Sequence, residues 1–179
     1  MNKKEVKAKV AELLLGNTEK SEVFARLSGQ GVKDSQLAYF IAAWVDPSLC
    51  IKHERKVNLL VTLVFIHALI AFLIGFGIGA KFGVNAKWII GSLGALILFL
   101  FAWGFYTHRV GSYNAWILLS IIQLPKLFDG FIVNPLASTI GITTSVGMLL
   151  YVWHVREQLF PDFTFVMPRK LKGHYVFLS

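Results

Sequence analysis

Along residues 3–15 the apolar side chains Val6, Val10, Leu13 and Leu14 recur every three or four positions, with charged residues between them. That period predicts an amphipathic helix. Gly16-Asn17 reads as its stop, and Thr18 stands where a hydroxyl can cap a second helix. The second helix holds Val23, Phe24 and Leu27 and ends at Gly29 or Gly31. Asp34 is the expected cap of a third, whose stripe is Leu37, Ala38, Ile41 and Ala42. Asp46-Pro47 closes it, because the residue before proline is pushed out of the helical region. Pro47 then opens a short helix leading onward.

From Val57 the periodicity gives way to continuous apolar runs without formal charge. They cover Val57–Ala80 (24 residues), Trp88–His108 (21), Val110–Pro125 (16) and Gly130–Val155 (26). A helix needs roughly 20 apolar residues to cross a bilayer. Three runs meet that length, and the third meets it if its helix continues past Pro125. Hydrocarbon offers the backbone no water, so a span is a helix or part of a closed barrel. These runs do not alternate, which removes the barrel. The expected fold is all-α: a polytopic membrane protein with a cytoplasmic three-helix module in 1–56 and four transmembrane helices in 57–155. The spans fall at about 57–80, 88–107, 112–133 and 136–155, and residues 156–179 form an aromatic and basic tail. Pro161 and Pro168 oppose a long helix in that tail; Phe163–Val166 and Tyr175–Leu178 are candidate strands, and Phe160, Phe163 and Phe165 candidates to dock on the N-terminal helices.

Composition agrees with this pattern. Of 179 residues 55% are hydrophobic and 16% charged, against roughly a quarter charged in a soluble domain. A soluble enzyme, a disordered tail and a fibrous repeat are all poor fits. The net charge of +8 matters through its placement. Lys52, Arg55, Lys56, Arg109, Arg156, Arg169, Lys170 and Lys172 fall on one side of the spans, and Lys81, Lys87 and Lys126 on the other. Basic residues near helix ends mark the cytoplasmic face, so both termini are expected there. Cys50 then lies in a reducing compartment, and a single cysteine forms no internal disulfide. The first apolar run starts at Val57, too late for a secretory signal peptide. No Asn-x-Ser/Thr acceptor occurs in the chain's membrane half, which fits a bacterial inner membrane.

Few residues carry candidate chemistry. His67 falls near the middle of the first span, and an ionisable residue at that depth points to function. The plainer alternative, a neutral imidazole bonded within the bundle, is favoured because spans one, two and four contain no Asp or Glu. In the third segment Gln123 precedes Pro125, and Lys126 and Asp129 stand three apart, on one face of a continuing helix. They form either a hydrated pair at the outer interface or a broken-helix ion site of the transporter kind. Close helix packing is expected at Gly75 and Gly79, at Gly91 and Ala95, and at Ala137, Gly141 and Ser145. Trp88, Trp103, Tyr106, Tyr113, Trp116, Tyr151 and Trp153 are expected in interfacial belts.

The third N-terminal helix has no Lys or Arg between Asp34 and Val45, which argues against nucleic acid as a partner. The five histidines and one cysteine show no zinc spacing, and no phosphate loop or nucleophile elbow is present, so no metal, cofactor or catalytic residue is expected. In general plan the chain resembles small bacterial inner-membrane proteins with a cytoplasmic helical preface and four spans, some of them immunity proteins against membrane-directed toxins. The likeness is architectural and carries no residue across. It implies a non-enzymatic role through contacts with another membrane or membrane-targeted protein, with lipids as the other partner and homo-oligomerisation open. The alternative is a small transporter or channel subunit using the polar residues of spans one and three.

Overall fold

A computed structural model describes residues 1–178 apart from Gly130, Ile132 and Val133. The fold is mostly helical, with 76% of residues in helices. It divides into two compact units, one of Met1–Cys50 with Arg156–Ser179 and one of Ile51–Val155.

The first unit starts with α1 (Lys3–Leu15), where Asn2 accepts from the Lys4 and Glu5 amides and Glu5 reaches back to the Asn2 amide. Such a capping box satisfies donors that a helix start leaves free. The left-handed residue after α1 is Asn17 (φ 57°), and Gly16 stays at φ −77°. The Asn17 and Thr18 amides bond back to the Leu14 and Leu13 carbonyls, the Schellman pattern. Two expected caps differ. α2 (Lys20–Leu27) has Glu19 at its N-cap with no side-chain bond, and Thr18 instead gives its amide to the Leu13 carbonyl at the end of α1. α3 (Asp34–Ala42) has Lys33 at its N-cap. Asp34 is its first helical residue, favourable beside the positive helix end, and its carboxylate accepts from Ser28 Oγ at 2.8 Å. Val6, Val10, Leu14, Val23, Leu27, Leu37 and Ile41 form the core of this unit.

The C-terminal segment completes it and departs from the all-α expectation. Two-residue strands β1 (Phe163–Thr164) and β2 (Met167–Pro168) pair antiparallel, as do β3 (Lys170–Leu171) and β4 (His174–Tyr175). Lys172 and Gly173 both have positive φ in the second turn, which matches the twist of a two-residue hairpin. Phe24 packs on Tyr175 and Phe177, and Tyr39 meets the Phe163 ring edge-on at 5.5 Å. Phe160 and Phe163 are buried, whereas Phe165 is 41% exposed at a turn position of φ 57°. Lys20 Nζ lies 2.6 Å from Asp162 Oδ2, with both side chains buried. Asp162 Oδ1 accepts from the Leu178 amide at 2.6 Å. One carboxylate thereby joins α2 to both ends of the tail.

In the second unit no break separates a preface from the first apolar run. α4 runs from Pro47 to Gly79, 33 residues, and a 3-10 turn follows over Ala80–Phe82. At 1.5 Å per residue α4 is about 50 Å long, more than the ~30 Å hydrocarbon layer requires. α5 is Val84–Tyr106, α6 Val110–Phe128 and α7 Pro135–Leu159. Pro125 lies inside α6 and does not end it; it removes only the donor that would serve the Ile121 carbonyl. The expected third-span end at Val133 lies outside the described residues. Three stretches, Pro47–Phe82, Val84–Tyr106 and Pro135–Leu159, are long and apolar enough to cross a membrane. Only 17%, 28% and 17% of their most apolar windows are buried within the protein, so the remaining apolar surface faces outward. That surface gives the chain a membrane location.

Candidate functional site

Close backbone approach fixes α4 on α5. A Cβ at Gly75 would lie 3.0 Å from the Gly91 Cα, one at Gly91 3.0 Å from the Phe72 carbonyl oxygen, and one at Gly79 2.5 Å from the Lys87 Cα. Ala95 is 6% exposed. α5 and α6 meet through Phe101 and Phe105 against Trp116, and Phe105 against Tyr113. A Cβ at Gly104 would overlap the Ser112 side chain. Tyr113 is fully buried, and its hydroxyl donates to the Phe105 carbonyl at 3.3 Å. Tyr113 and Trp116 therefore belong to the helix contact and not to an interfacial belt. α7 differs: Ala137 is exposed, and a Cβ at Gly141 would meet nothing within 4 Å. Tyr151 on α7 donates to the Lys56 carbonyl on α4 at 3.1 Å.

Beside these contacts lies a partly open cavity of about 190 Å³ lined by His67, Leu98, Trp116, Ser120, Gln123, Leu127, Ser145 and Met148. All four helices contribute. On α6 the lining residues Trp116, Ser120, Gln123 and Leu127 are spaced four, three and four apart, one face of a helix. His67 and Gln123 are brought together here with Ser145, whereas Lys126 and Asp129 do not line the cavity. Lys126 and Asp129 are both exposed and, among the described residues, form no ion pair. His67 Nδ1 lies 3.0 Å from the Leu63 carbonyl oxygen of its own helix. A carbonyl only accepts, so Nδ1 carries the hydrogen in this contact. Trp116 Nε1 is buried and has no hydrogen-bond partner. The sequence pattern put Trp116 in an interfacial belt and gave Ser120 no role, although the spacing of both to Gln123 was visible.

Two further polar groups are unusual. Arg156 is 0% exposed, its guanidinium nitrogens have no hydrogen-bond partner, and it lies 5.4 Å over the Phe163 ring. A weakly hydrated planar cation stacks on an aromatic face at less cost than an ammonium would. His108, in the turn between α5 and α6, is left-handed at φ 51° with Nε2 buried and unpartnered. Burial pushes its pKa below the ordinary histidine range. Among the described residues no three of His, Cys, Asp and Glu gather as a metal site.

No protein-family model, curated protein or solved structure matches this chain.

Proposed function

We propose that this is a four-span protein of a bacterial inner membrane, with both termini cytoplasmic, that works without catalysis by binding another membrane or membrane-targeted protein. The most concrete versions are an immunity protein against a membrane-directed toxin and an accessory subunit. One observation carries the binding role. The small-residue positions Gly75, Gly79, Gly91 and Gly104 are filled by this chain's own atoms, while Gly77 on α4, Gly111 on α6 and Gly141 and Gly147 on α7 are open. Helices associate in lipid by close backbone contact at such positions, so open positions such as Gly141 suit a helix of another protein. Four spans are supported by parity. Residues 1–50 and 156–179 form one compact unit, which cannot straddle a bilayer, so an even number of crossings separates them. The basic residues near the helix ends support a cytoplasmic face for that unit.

Disulfide cross-linking in native membranes tests the reading, with Cys50→Ser as background. Gly141→Cys should yield one stoichiometric adduct with a second protein, and Gly91→Cys should yield none. Adducts only with a second copy of this chain, or none, would defeat it. A second reading, a small transporter or channel subunit, is favoured by the polar cavity at His67 and Gln123. Lys126 and Asp129 do not line that cavity.

A further inference from the structure

A second hollow in the membrane unit is an open groove of about 500 Å³ between α4 and α5, two of the helices long and apolar enough to cross a bilayer. Asn58, Val61, Thr62 and Phe65 line it from α4, and Phe99, Ala102, Trp103 and Tyr106 from α5. Both sets follow the same spacing of three, one and three, which is one face of a helix. Phe65, Phe99, Trp103 and Tyr106 are all exposed, so the groove opens to the lipid side.

Its two ends differ. At one, the Phe65 and Phe99 rings meet with centroids 5.4 Å apart. α4 and α5 run in opposite directions, so seven residues along each lead from that contact to Asn58 and Tyr106. Seven residues rise about 10 Å, two-thirds of the ~15 Å of hydrocarbon in one leaflet. The second end is polar. Among the described residues the Asn58 side chain and the Tyr106 hydroxyl make no hydrogen bond, whereas the Thr62 hydroxyl donates to the Asn58 carbonyl. Three residues further stand Arg55 on α4 and Arg109 after α5, both exposed and, among the described residues, in no ion pair. Lys52 and Lys56 lie at the same end, with Glu54 as the acid there.

An apolar trough with aromatic rims matches an acyl chain, and tryptophan and tyrosine favour the level where chain meets headgroup. Basic side chains at the mouth of a cleft between spans recognise anionic headgroups. A helix, about 10 Å across, can lie over such a groove but not enter it. We propose that the α4–α5 groove is a binding site for an anionic phospholipid, with one acyl chain in the groove and the headgroup held by Arg55, Arg109, Asn58 and Tyr106. The site requires only the membrane location and is independent of the partner proposed for α7.

The full chain is reconstituted in phosphatidylcholine vesicles containing rising proportions of phosphatidylglycerol or phosphatidylcholine with brominated chains. Bromine quenches tryptophan on contact, and the difference between each protein and its Trp103→Phe counterpart isolates Trp103 from the other four indoles. Brominated phosphatidylglycerol should give half-maximal Trp103 quenching at a proportion at least fivefold lower than brominated phosphatidylcholine, since one Lys or Arg at a lipid surface is worth about 1 kcal/mol. Arg55→Gln with Arg109→Gln should abolish that preference; should the pair fail to fold, each single variant should reduce it at least twofold. Thr62→Phe, at an exposed position in the groove, should weaken quenching by both lipids. Equal quenching by the two lipids would mean that any chain fills the groove, and no quenching by either that protein covers it. A preference that survives loss of the arginines would place the headgroup elsewhere, and full quenching in Thr62→Phe would place the chain outside the groove. Each of these results overturns the proposal.

Discussion

At the scale of single residues, the turn after α5 combines two costs in one side chain. His108 is left-handed at φ 51°, and the amides of His108 and Arg109 bond back to the Phe105 and Gly104 carbonyls. A Schellman turn prefers glycine at that position, and an L-residue with a Cβ gives up about 1 kcal/mol or more there. The imidazole is also held in a setting that disfavours its charged form. Its folded pKa lies below its unfolded one, so the unfolded chain binds more protons between the two. Stability is therefore full above pH ~6.5 and falls as the pH drops toward the folded pKa. His108→Gly removes both effects. In detergent, the variant should unfold about 1 kcal/mol later than the parent at pH 7.5 and lose less on acidification to pH 5.5. An equal loss in both proteins would place the acid sensitivity elsewhere. None of this was legible in the sequence, where His108 is one polar residue at the end of an apolar run. The cap after α1 was nearly legible: Gly16-Asn17 marked the stop, but the left-handed residue is Asn17, whose short polar side chain tolerates that region.

At the scale of elements, the apolar runs were legible because charge is excluded from them, and α4, α5 and α7 each contain most of one, although α4 begins at Pro47, ten residues before its run. Which small residues pack could not be read, since spacing of four marks a helix face and not what lies against it. The contrast between Gly79 and Gly141 makes this measurable. A methyl at position 79 would press on the backbone of Lys87, which cannot yield as a flexible side chain can, while a methyl at 141 enters open space. Overpacking typically costs about 1–3 kcal/mol, whereas Gly→Ala in an open helix interior gains up to about 1 kcal/mol. Gly79→Ala should lower the Tm of the purified protein and Gly141→Ala should leave it unchanged or raise it. Equal losses would mean that α7 is as tightly filled as the α4–α5 contact. α6 was the hardest element to read. Ser120 and Gln123 lower its apolar character, yet both line the cavity, and Leu118, Leu119, Ile121 and Ile122 are exposed on its other sides. An average over the helix mixes two faces that meet different surroundings.

At the scale of the whole molecule, the proposal of four crossings rests on what holds the first unit together. Charge placement suggested that both ends of the chain share a face, but no sequence signal joined Lys20 to Asp162, which are 142 positions apart. That pair is buried, and removing one member of such a pair typically costs about 3–5 kcal/mol because the other is left uncompensated. The aromatic contacts of Phe24 with Tyr175 and Phe177 act in the same place. A protein with three crossings would put these groups on opposite sides of the bilayer and forfeit all of them. The proposed four-crossing arrangement requires α6 to cross as well, although only the other three helices are long and apolar enough by composition. Single cysteines in a Cys50→Ser background, probed in intact cells with a membrane-impermeant maleimide, decide between the two. Lys81→Cys, in the turn between α4 and α5, should react from outside. Lys3→Cys and Lys172→Cys should both react only after permeabilisation. Reaction of Lys172→Cys but not Lys3→Cys in intact cells would mean three crossings, and the first unit could not then form in the membrane-inserted protein.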